Sequence, residues 1–194
     1  DIGNEIVGGI YSPADGHVNP LSLLRGLHTV FKIKGGTIKN GEIVIHIKKD
    51  GSRYKVETAA SSYFSEQVIL AAGLGNKKLG TSIGLNIPVK PVRGQIIVTE
   101  RLTRFFPYAA TQIRQSEEGS VMIGVSHEDT GFDDGTTADV MGKMSKWGTS
   151  VFPKLANAQV IRVWGALRVM TPDGYPIYDQ SKDFPGIFGV ACHS

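Results

Sequence analysis

The chain has 194 residues, of which 41% are hydrophobic and 20% are charged, and its formal net charge is +3. This hydrophobic share supports a packed core and excludes an intrinsically disordered chain. No stretch approaches the roughly 18 consecutive apolar residues of a membrane-spanning helix, and residues 1–9 lack the pattern of a signal peptide. The 24 glycines predict many turns, or a backbone that a ligand approaches closely.

Charge and cysteine usage narrow the class further. The basic residues are interleaved with acidic ones except at Lys48-Lys49 and Lys77-Lys78, which argues against a nucleic-acid partner. Cys192 is the single cysteine, so no internal disulfide can form, which favours a reducing, cytoplasmic compartment. The five histidines follow no metal-ligand spacing, so no metal site is predicted.

Two helices and a series of strands are predicted in chain order. Asn19 supplies a capping side chain and Pro20 suits the first helical position, and apolar residues then recur at helical spacing to about Lys34. A second helix is expected from about Thr137 to Val151. The predicted strands are Glu5–Tyr11, Glu42–Lys48, Tyr54–Thr58, Gln67–Ala72, Pro88–Thr99, Ile113–Gln115, Val121–Val125, Gln159–Val169 and Gly186–Ala191.

Turn signals between neighbouring strands predict antiparallel hairpins. Asp50-Gly51 is a strong hairpin turn, and Glu117-Glu118-Gly119 joins a later pair of strands. Gln67–Ala72 is instead apolar without alternation, as a strand buried on both faces would be. Several hairpins with two helices predict an α+β fold with a mixed, mainly antiparallel sheet and flanking helices.

Two segments are candidate binding sites on their residues alone. The apolar strand that runs into Gly73-Leu-Gly75 invites a dinucleotide-binding interpretation, but the Gly-x-Gly-x-x-Gly fingerprint fails at its third glycine, where Lys78 stands. Arg168 lies inside an apolar strand, where a guanidinium needs a carboxylate or phosphate to offset its desolvation. Its planar fork suits an α-carboxylate, and an internal ion pair is an equally good account.

Six short motifs follow one another along the chain. They are Gly8–Pro20, Val68–Gly73, Pro91–Gln95, Val121–Phe132, Gly165–Pro176 and Pro185–Ser194. In this order they resemble the flavin-dependent amino acid oxidoreductases of the D-amino acid oxidase superfamily, which includes glycine oxidase, sarcosine oxidase and the D-amino acid and opine dehydrogenases. The region around Ser126–Thr137 is most similar to the dehydrogenase-type subunits.

The resemblance implies an enzyme that oxidises the C–N bond of an amino acid by hydride transfer to FAD, followed by hydrolysis of the imine. It places Arg168 at the family's carboxylate-binding arginine, with Arg114 and Tyr178 as further substrate-binding candidates. No residue is assigned as a catalytic acid or base. The cofactor-binding candidates that the resemblance implies are Ala71, Ala72 and Gly73 against the flavin nucleotide, and His193 and Ser194 at the edge of the flavin ring.

The resemblance also implies how the chain is organised. Partial FAD-domain elements are expected at about 1–75 and 177–194, and a substrate-binding domain at about 86–176. Because the family's N-terminal Gly-x-Gly-x-x-Gly motif is absent, we expect a fragment that binds FAD weakly or not at all and is inactive alone. The expected partners are an amino acid substrate and either a second subunit or further copies of the chain.

A different class of protein remains as the alternative. In that interpretation the chain is a non-enzymatic binding or assembly module of the same fold, and Arg168 holds an acidic ligand or partner.

Overall fold

The computed structural model describes residues 2–124 and 126–192, so Asp1, Val125, His193 and Ser194 lie outside the described residues. Two compact units divide the chain, the first formed by residues 1–36 and 93–167, the second by residues 37–92 and 168–194. The helices are α1 (Pro20–Ile33), α2 (Asn76–Thr81) and α3 (Ala138–Val151), with short 3-10 segments at Gly73–Gly75 and Pro153–Asn157. The strands are β1 (Val44–Asp50), β2 (Arg53–Thr58), β3 (Ser62–Ser65), β4 (Val68–Leu70), β5 (Lys90–Arg101), β6 (Ile113–Gln115), β7 (Ser120–Ile123), β8 (Val160–Met170), β9 (Ile177–Gln180) and β10 (Ile187–Ala191).

The described strands form three sheets, with the orders β1-β2-β3, β4-β10-β9 and β6-β7-β5-β8. Pairing is antiparallel between β1 and β2, β2 and β3, β9 and β10, and β6 and β7. In the second sheet β4 instead runs parallel to β10. This confirms the predicted α+β class with mixed, mainly antiparallel pairing. The expected assignment of FAD-domain and substrate-binding regions is functional, and it stays a prediction.

Helix α1 follows its local signals. The Asn19 side chain accepts hydrogen bonds from the backbone N–H groups of Leu21 at 3.1 Å and Ser22 at 3.2 Å, and Pro20 is the first helical residue. The helix ends at Ile33, and Gly35 follows with φ +84°. The predicted cap and stop are therefore both confirmed.

The two predicted hairpin turns are also confirmed. Asp50 pairs with Arg53 across the β1–β2 turn, where Gly51 has φ +60°. Gly119 turns the chain between β6 and β7 with φ +101°. Both glycines occupy the left-handed region, which a side chain with a Cβ rarely adopts.

Other expectations were wrong where a strand depends on distant neighbours. Residues 5–11 form no strand, because no described strand pairs with them and an isolated extended segment leaves its backbone groups unpaired. The strand expected at Gln67–Ala72 shortens to β4, and Ile69 is 67% exposed rather than buried on both faces. Among the described strands β4 lies at the edge of its sheet and pairs with β10, and one face of the strand is covered at Leu70 while the other is exposed at Ile69.

Each unit has its own hydrophobic core. In the first unit, Gly148 of α3 lies directly against Ile123 of β7. In the second unit, Gly189 of β10 allows the Ile87 side chain to approach the strand closely. The buried core of the first unit comprises Ile97, Ile113, Val121, Ile123, Phe152 and Leu155, and that of the second comprises Ile47, Tyr54, Leu70, Ile83, Leu85, Ile87, Val89, Ile187 and Ala191.

Two glycines of α3 form a matched pair for testing this packing. A Cβ on Gly142 would meet nothing within 4 Å, whereas a Cβ on Gly148 would lie 2.7 Å from Ile123 Cδ1. We expect Gly142→Ala to raise the free energy of unfolding by up to about 1 kcal/mol through helix propensity. Gly148→Ala gains the same propensity but crowds a core isoleucine, at a cost of about 1–3 kcal/mol. Urea unfolding followed by circular dichroism should give a lower free energy of unfolding for Gly148→Ala than for Gly142→Ala. Equal free energies would show that Gly148 does not pack against Ile123 as described.

A buried polar cluster joins β5 to the segment that precedes α3. The Arg93 guanidinium, 4% exposed, donates to Glu128 Oε2 at 2.7 Å and to Asp133 Oδ2 at 2.6 Å. The buried amide of Gln95 donates to Glu128 Oε1 at 2.8 Å and accepts from the Thr137 N–H. These donors hold the pKa of Glu128 at about 2, well below its ordinary value of 4.5. The charge in the Pro91–Gln95 motif is thus compensated within the fold.

The contribution of this cluster to the free energy of unfolding should depend on pH in the acid range. A carboxylate whose pKa is depressed in the folded chain stabilises it above the ordinary value of 4.5, and that stabilisation is lost as the pH falls toward 2. We expect Glu128→Gln to lower the free energy of unfolding by about 2 kcal/mol at neutral pH. The difference from wild type should shrink steadily below pH 4.5 in denaturant titrations.

The exposed Glu117 provides the control, because Glu117→Gln removes a carboxylate without touching the cluster. It should leave the unfolding free energy unchanged. A Glu128→Gln difference that stays constant from neutral pH to pH 2 would show that the carboxylate charge does not stabilise the cluster.

Candidate functional site

The carboxyl ends of two parallel strands meet at one edge of the second unit. β4 pairs with β10 from Val68↔Ile187 to Leu70↔Gly189. Ala71, Ala72 and Gly73 follow β4 directly, and the two alanines are exposed. Ligands of open α/β sheets bind in the crevice outside the carboxyl ends of such strands. This edge, formed by Ala71–Gly73 and the end of β10, is therefore the candidate site, and we call it the strand-end site.

At the strand-end site the backbone adopts the left-handed conformation shortly after each of the two strands ends. Gly73 has φ +57° after β4, and Cys192 has φ +58° directly after β10. Among the described residues Cys192 is the non-glycine residue with a positive φ, and this conformation costs a residue with a Cβ about 1–2 kcal/mol. Strain of this kind is concentrated at functional sites.

Asn76 ties the two strand ends together. Its side chain is fully buried, its Oδ1 accepts from the Ala72 N–H at 2.7 Å, and its Nδ2 donates to the Val190 carbonyl at 2.8 Å. Sequence reasoning missed this residue. A usable signal was present, because an asparagine directly after a glycine turn has a short side chain that can hydrogen-bond neighbouring backbone.

The segment after Arg168 reaches the same edge. The Thr171 hydroxyl donates to the Tyr175 carbonyl at 2.8 Å and lies 3.5 Å from Cys192 Sγ. A Cβ on Gly73 would lie 3.4 Å from Val169 Cγ2. The structure thus brings together the loop after β4, the end of β10 and the end of β8.

The turn that follows β8 forms as its composition predicts. The Gly174 N–H donates to the Thr171 carbonyl at 3.3 Å, and Asp173 Oδ1 accepts from the Tyr175 N–H at 3.1 Å. These bonds fix the chain between Arg168 and β9 as a tight β-turn.

Arg168 lies on β8, in the part of that strand that belongs to the second unit, and it is partly buried. Partial burial lowers the pKa of its guanidinium below its ordinary value. An arginine stays charged under such conditions, and a partly desolvated guanidinium interacts more strongly with an anion than one in water does.

The other two substrate-binding candidates differ in setting. Tyr178 lies on β9 opposite Val190 of β10, and it is 71% exposed. Arg114 belongs to the first unit, where it donates to the Val18 carbonyl at 3.2 Å and lies 3.2 Å from Met122 Sδ. Arg114 therefore links β6 to the segment before α1. His193 and Ser194 fall outside the described residues.

The described part of the chain offers neither a metal centre nor a membrane-spanning helix. Residues 2–124 and 126–192 contain no group of three or more histidine, cysteine, aspartate or glutamate side chains placed to hold a metal ion. Within the same ranges, no helix has both the length and the apolar character needed to cross a membrane.

Comparison with known proteins places the chain among redox flavoproteins. The family described as FAD dependent oxidoreductase matches residues 2–194, and the chain belongs to this family. The chain is 40% identical over 193 residues to a subunit of the opine oxidase of Agrobacterium tumefaciens (strain Ach5), and the match covers 100% of this chain and 52% of that protein.

Two further matches agree with this assignment. Hydrogen cyanide synthase subunit HcnC of Pseudomonas protegens is 28% identical over 200 residues, which cover 100% of this chain and 48% of that protein. The crystal structure of glycine oxidase from Bacillus cereus ATCC 14579 superposes with a TM-score of 0.87 at 19% identity, covering 99% of this chain and 55% of that one, and it shows the shared fold. The chain spans about half the length of the curated relatives it matches.

The residues of the strand-end site fit a flavin nucleotide. Ala71, Ala72 and Gly73 have small uncharged side chains, so a ligand can approach their backbone closely. Both Gly73 and Cys192 place left-handed backbone at the carboxyl edge of the parallel pair. The 194 residues contain no Gly-x-Gly-x-x-Gly sequence, so the phosphate cradle of that motif is not among them.

Proposed function

We propose that this chain carries the substrate-carboxylate site and one flank of the flavin site of an enzyme that oxidises the C–N bond of an amino acid or an opine. The observation that carries the proposal is Arg168, a partly buried guanidinium on the strand that leads to the strand-end site. The family assignment and the 40% identity to a subunit of an opine oxidase support it.

Arg168 would act by binding and orientation. Its fork grips the α-carboxylate through two parallel N–H···O hydrogen bonds, which fixes the direction of the neighbouring C–N bond. Tyr178 and Arg114 are further substrate-binding candidates in this proposal. FAD, when bound, supplies the hydride acceptor, and water hydrolyses the resulting imine.

Ala71, Ala72 and Gly73 would lie against the flavin nucleotide, and His193 and Ser194 near the flavin ring. Because the phosphate-binding glycine motif is not among the 194 residues, we propose that they bind FAD weakly or not at all by themselves and are inactive alone. An absorption band of bound flavin in the purified 194-residue chain would contradict this part of the proposal.

A second subunit is part of the proposal. Two of the relatives are named as subunits, of opine oxidase and of hydrogen cyanide synthase, and copies of this chain are the other possible partner. A cytoplasmic location also belongs to the proposal, and the single cysteine supports it.

Arg168 can be tested in the full-length natural protein. Arg168→Ala should raise KM for the amino acid by on the order of 30-fold or more, because loss of a charge-assisted bidentate pair costs about 2–5 kcal/mol. Arg168→Lys keeps the charge but loses the fork, so its KM should fall between those of wild type and Arg168→Ala. Steady-state kinetics with an electron acceptor measures both.

Arg162 on the same strand provides a matched control. Its guanidinium is exposed and lies 5.2 Å from the centre of the Trp164 ring, so Arg162→Ala should leave KM unchanged. An unchanged KM in Arg168→Ala would rule out the carboxylate role. Binding of an acidic ligand through Arg168 without any flavin reduction would favour the non-enzymatic binding module instead.

A further inference from the structure

The ladder between β4 and β10 is regular up to its carboxyl end. The Val68 N–H donates to the Gly186 carbonyl at 2.9 Å, and the register continues to Leu70↔Gly189. Successive N–H groups that face one neighbour recur every two residues along a strand. After Val68 and Leu70, the next N–H of this series is that of Ala72, and its partner in a continued ladder is the Val190 carbonyl.

The side-chain amide of Asn76 stands between these two backbone groups. The Ala72 N–H donates to Asn76 Oδ1 at 2.7 Å, and Asn76 Nδ2 donates to the Val190 carbonyl at 2.8 Å. One rung of the ladder is thus replaced by two hydrogen bonds with an amide between them. Because this amide has the hydrogen-bonding groups of a peptide unit, it can link the Ala72 N–H to the Val190 carbonyl, which are both bonded to Asn76.

The Asn76 side chain is polar although it is buried, so contact with solvent does not explain why an asparagine stands here. Asn76 is fully buried as the first residue of α2, and α2 packs against both β4 and β10. A buried amide is costly unless its hydrogen bonds are satisfied, and asparagine is a poor helix former. With an apolar residue at this position, the Ala72 N–H could donate directly to the Val190 carbonyl, and the carboxyl ends of β4 and β10 would move together.

We propose that Asn76 is a positioning residue for the flavin, a spacer that holds the carboxyl ends of β4 and β10 apart so that the nucleotide can enter between Ala71–Gly73 and the end of β10. The inference rests on the proposed function, because it takes FAD as the occupant of the strand-end site. Asn76 acts through the backbone of Ala72 and Val190 and takes no part in the chemical step.

FAD affinity of the full-length apoprotein tests the spacer. Asn76→Ala should raise the FAD dissociation constant by on the order of tenfold or more, because direct pairing of Ala72 with Val190 narrows the site. Quenching of flavin fluorescence on titration measures the constant. Asn40→Ala, at an exposed position outside the helices and strands of the same unit, is the control and should bind FAD as wild type does.

Asn76→Asp separates spacing from general stability, because its side chain has the shape of asparagine. The ionised carboxylate accepts from Ala72 but repels the Val190 carbonyl, whereas the protonated acid can donate to it. Burial at this position raises the pKa of the introduced carboxyl group. We therefore expect weak FAD binding at pH 8 that recovers toward the wild-type constant as the pH is lowered to 5, and no such recovery in Asn76→Ala. Thermal melting of each variant reports whether it is folded.

Unchanged FAD affinity in the folded variants would overturn the proposed spacer role of Asn76. If Asn76→Ala does not fold, the pH dependence of FAD binding by Asn76→Asp decides alone. Failure of the proposed function has a different signature. Arg168→Ala should leave FAD affinity unchanged, so an unchanged KM in Arg168→Ala together with weakened FAD binding in Asn76→Ala would reject the carboxylate role and leave the spacer standing.

Discussion

The parallel pairing of β4 with β10 is the constraint on which the candidate site depends. Most pairing among the described strands is antiparallel and joins neighbours in sequence, but this pair brings two carboxyl ends to one edge. The small residues after Leu70 and the left-handed backbone at Cys192 both follow strands that end at this edge. The contact of Thr171 with Cys192 then brings the end of β8 to the same place. Without the parallel pair, these three segments would have no common edge.

Two arginines lie inside strands, but they differ in burial and surroundings. Arg93 is almost fully buried and has carboxylate partners at 2.6 and 2.7 Å, so it stabilises the loop that precedes α3. Arg168 is less deeply buried, and its strand leads to the strand-end site. A guanidinium paired with two carboxylates has its charge compensated within the fold, whereas the carboxylate-binding role of Arg168 stays a proposal. Sequence position alone does not distinguish these cases.

Features with local causes could be predicted from the sequence, and features with distant causes could not. The Asn19 cap and the Asp50-Gly51 turn depend on residues within a few positions, and both formed as expected. The exposure of Ile69 and the absence of a strand at residues 5–11 depend on which of the described strands lie alongside. The Asn76 bridge combines both kinds of cause, since its bond to Ala72 is local and had a sequence signal, whereas its bond to Val190 joins residues far apart in the chain. Arg168 stood out from the residues alone as a charge inside an apolar strand, and the family resemblance added Ala71–Gly73; the roles of all four residues stay predictions.

The separation of Asn76 from Val190, 114 residues apart in sequence, also bears on the order of folding. Contacts between distant residues require the closure of a long loop, so they form after local ones. Helix α1 and the β1–β2 hairpin can appear early, while the strand-end site must await β10, which is synthesised more than a hundred residues after β4. A chain interrupted shortly before Ile187 would retain both local elements yet lack one wall of the site. The strand-end site is therefore completed late, after β10 has emerged from the ribosome.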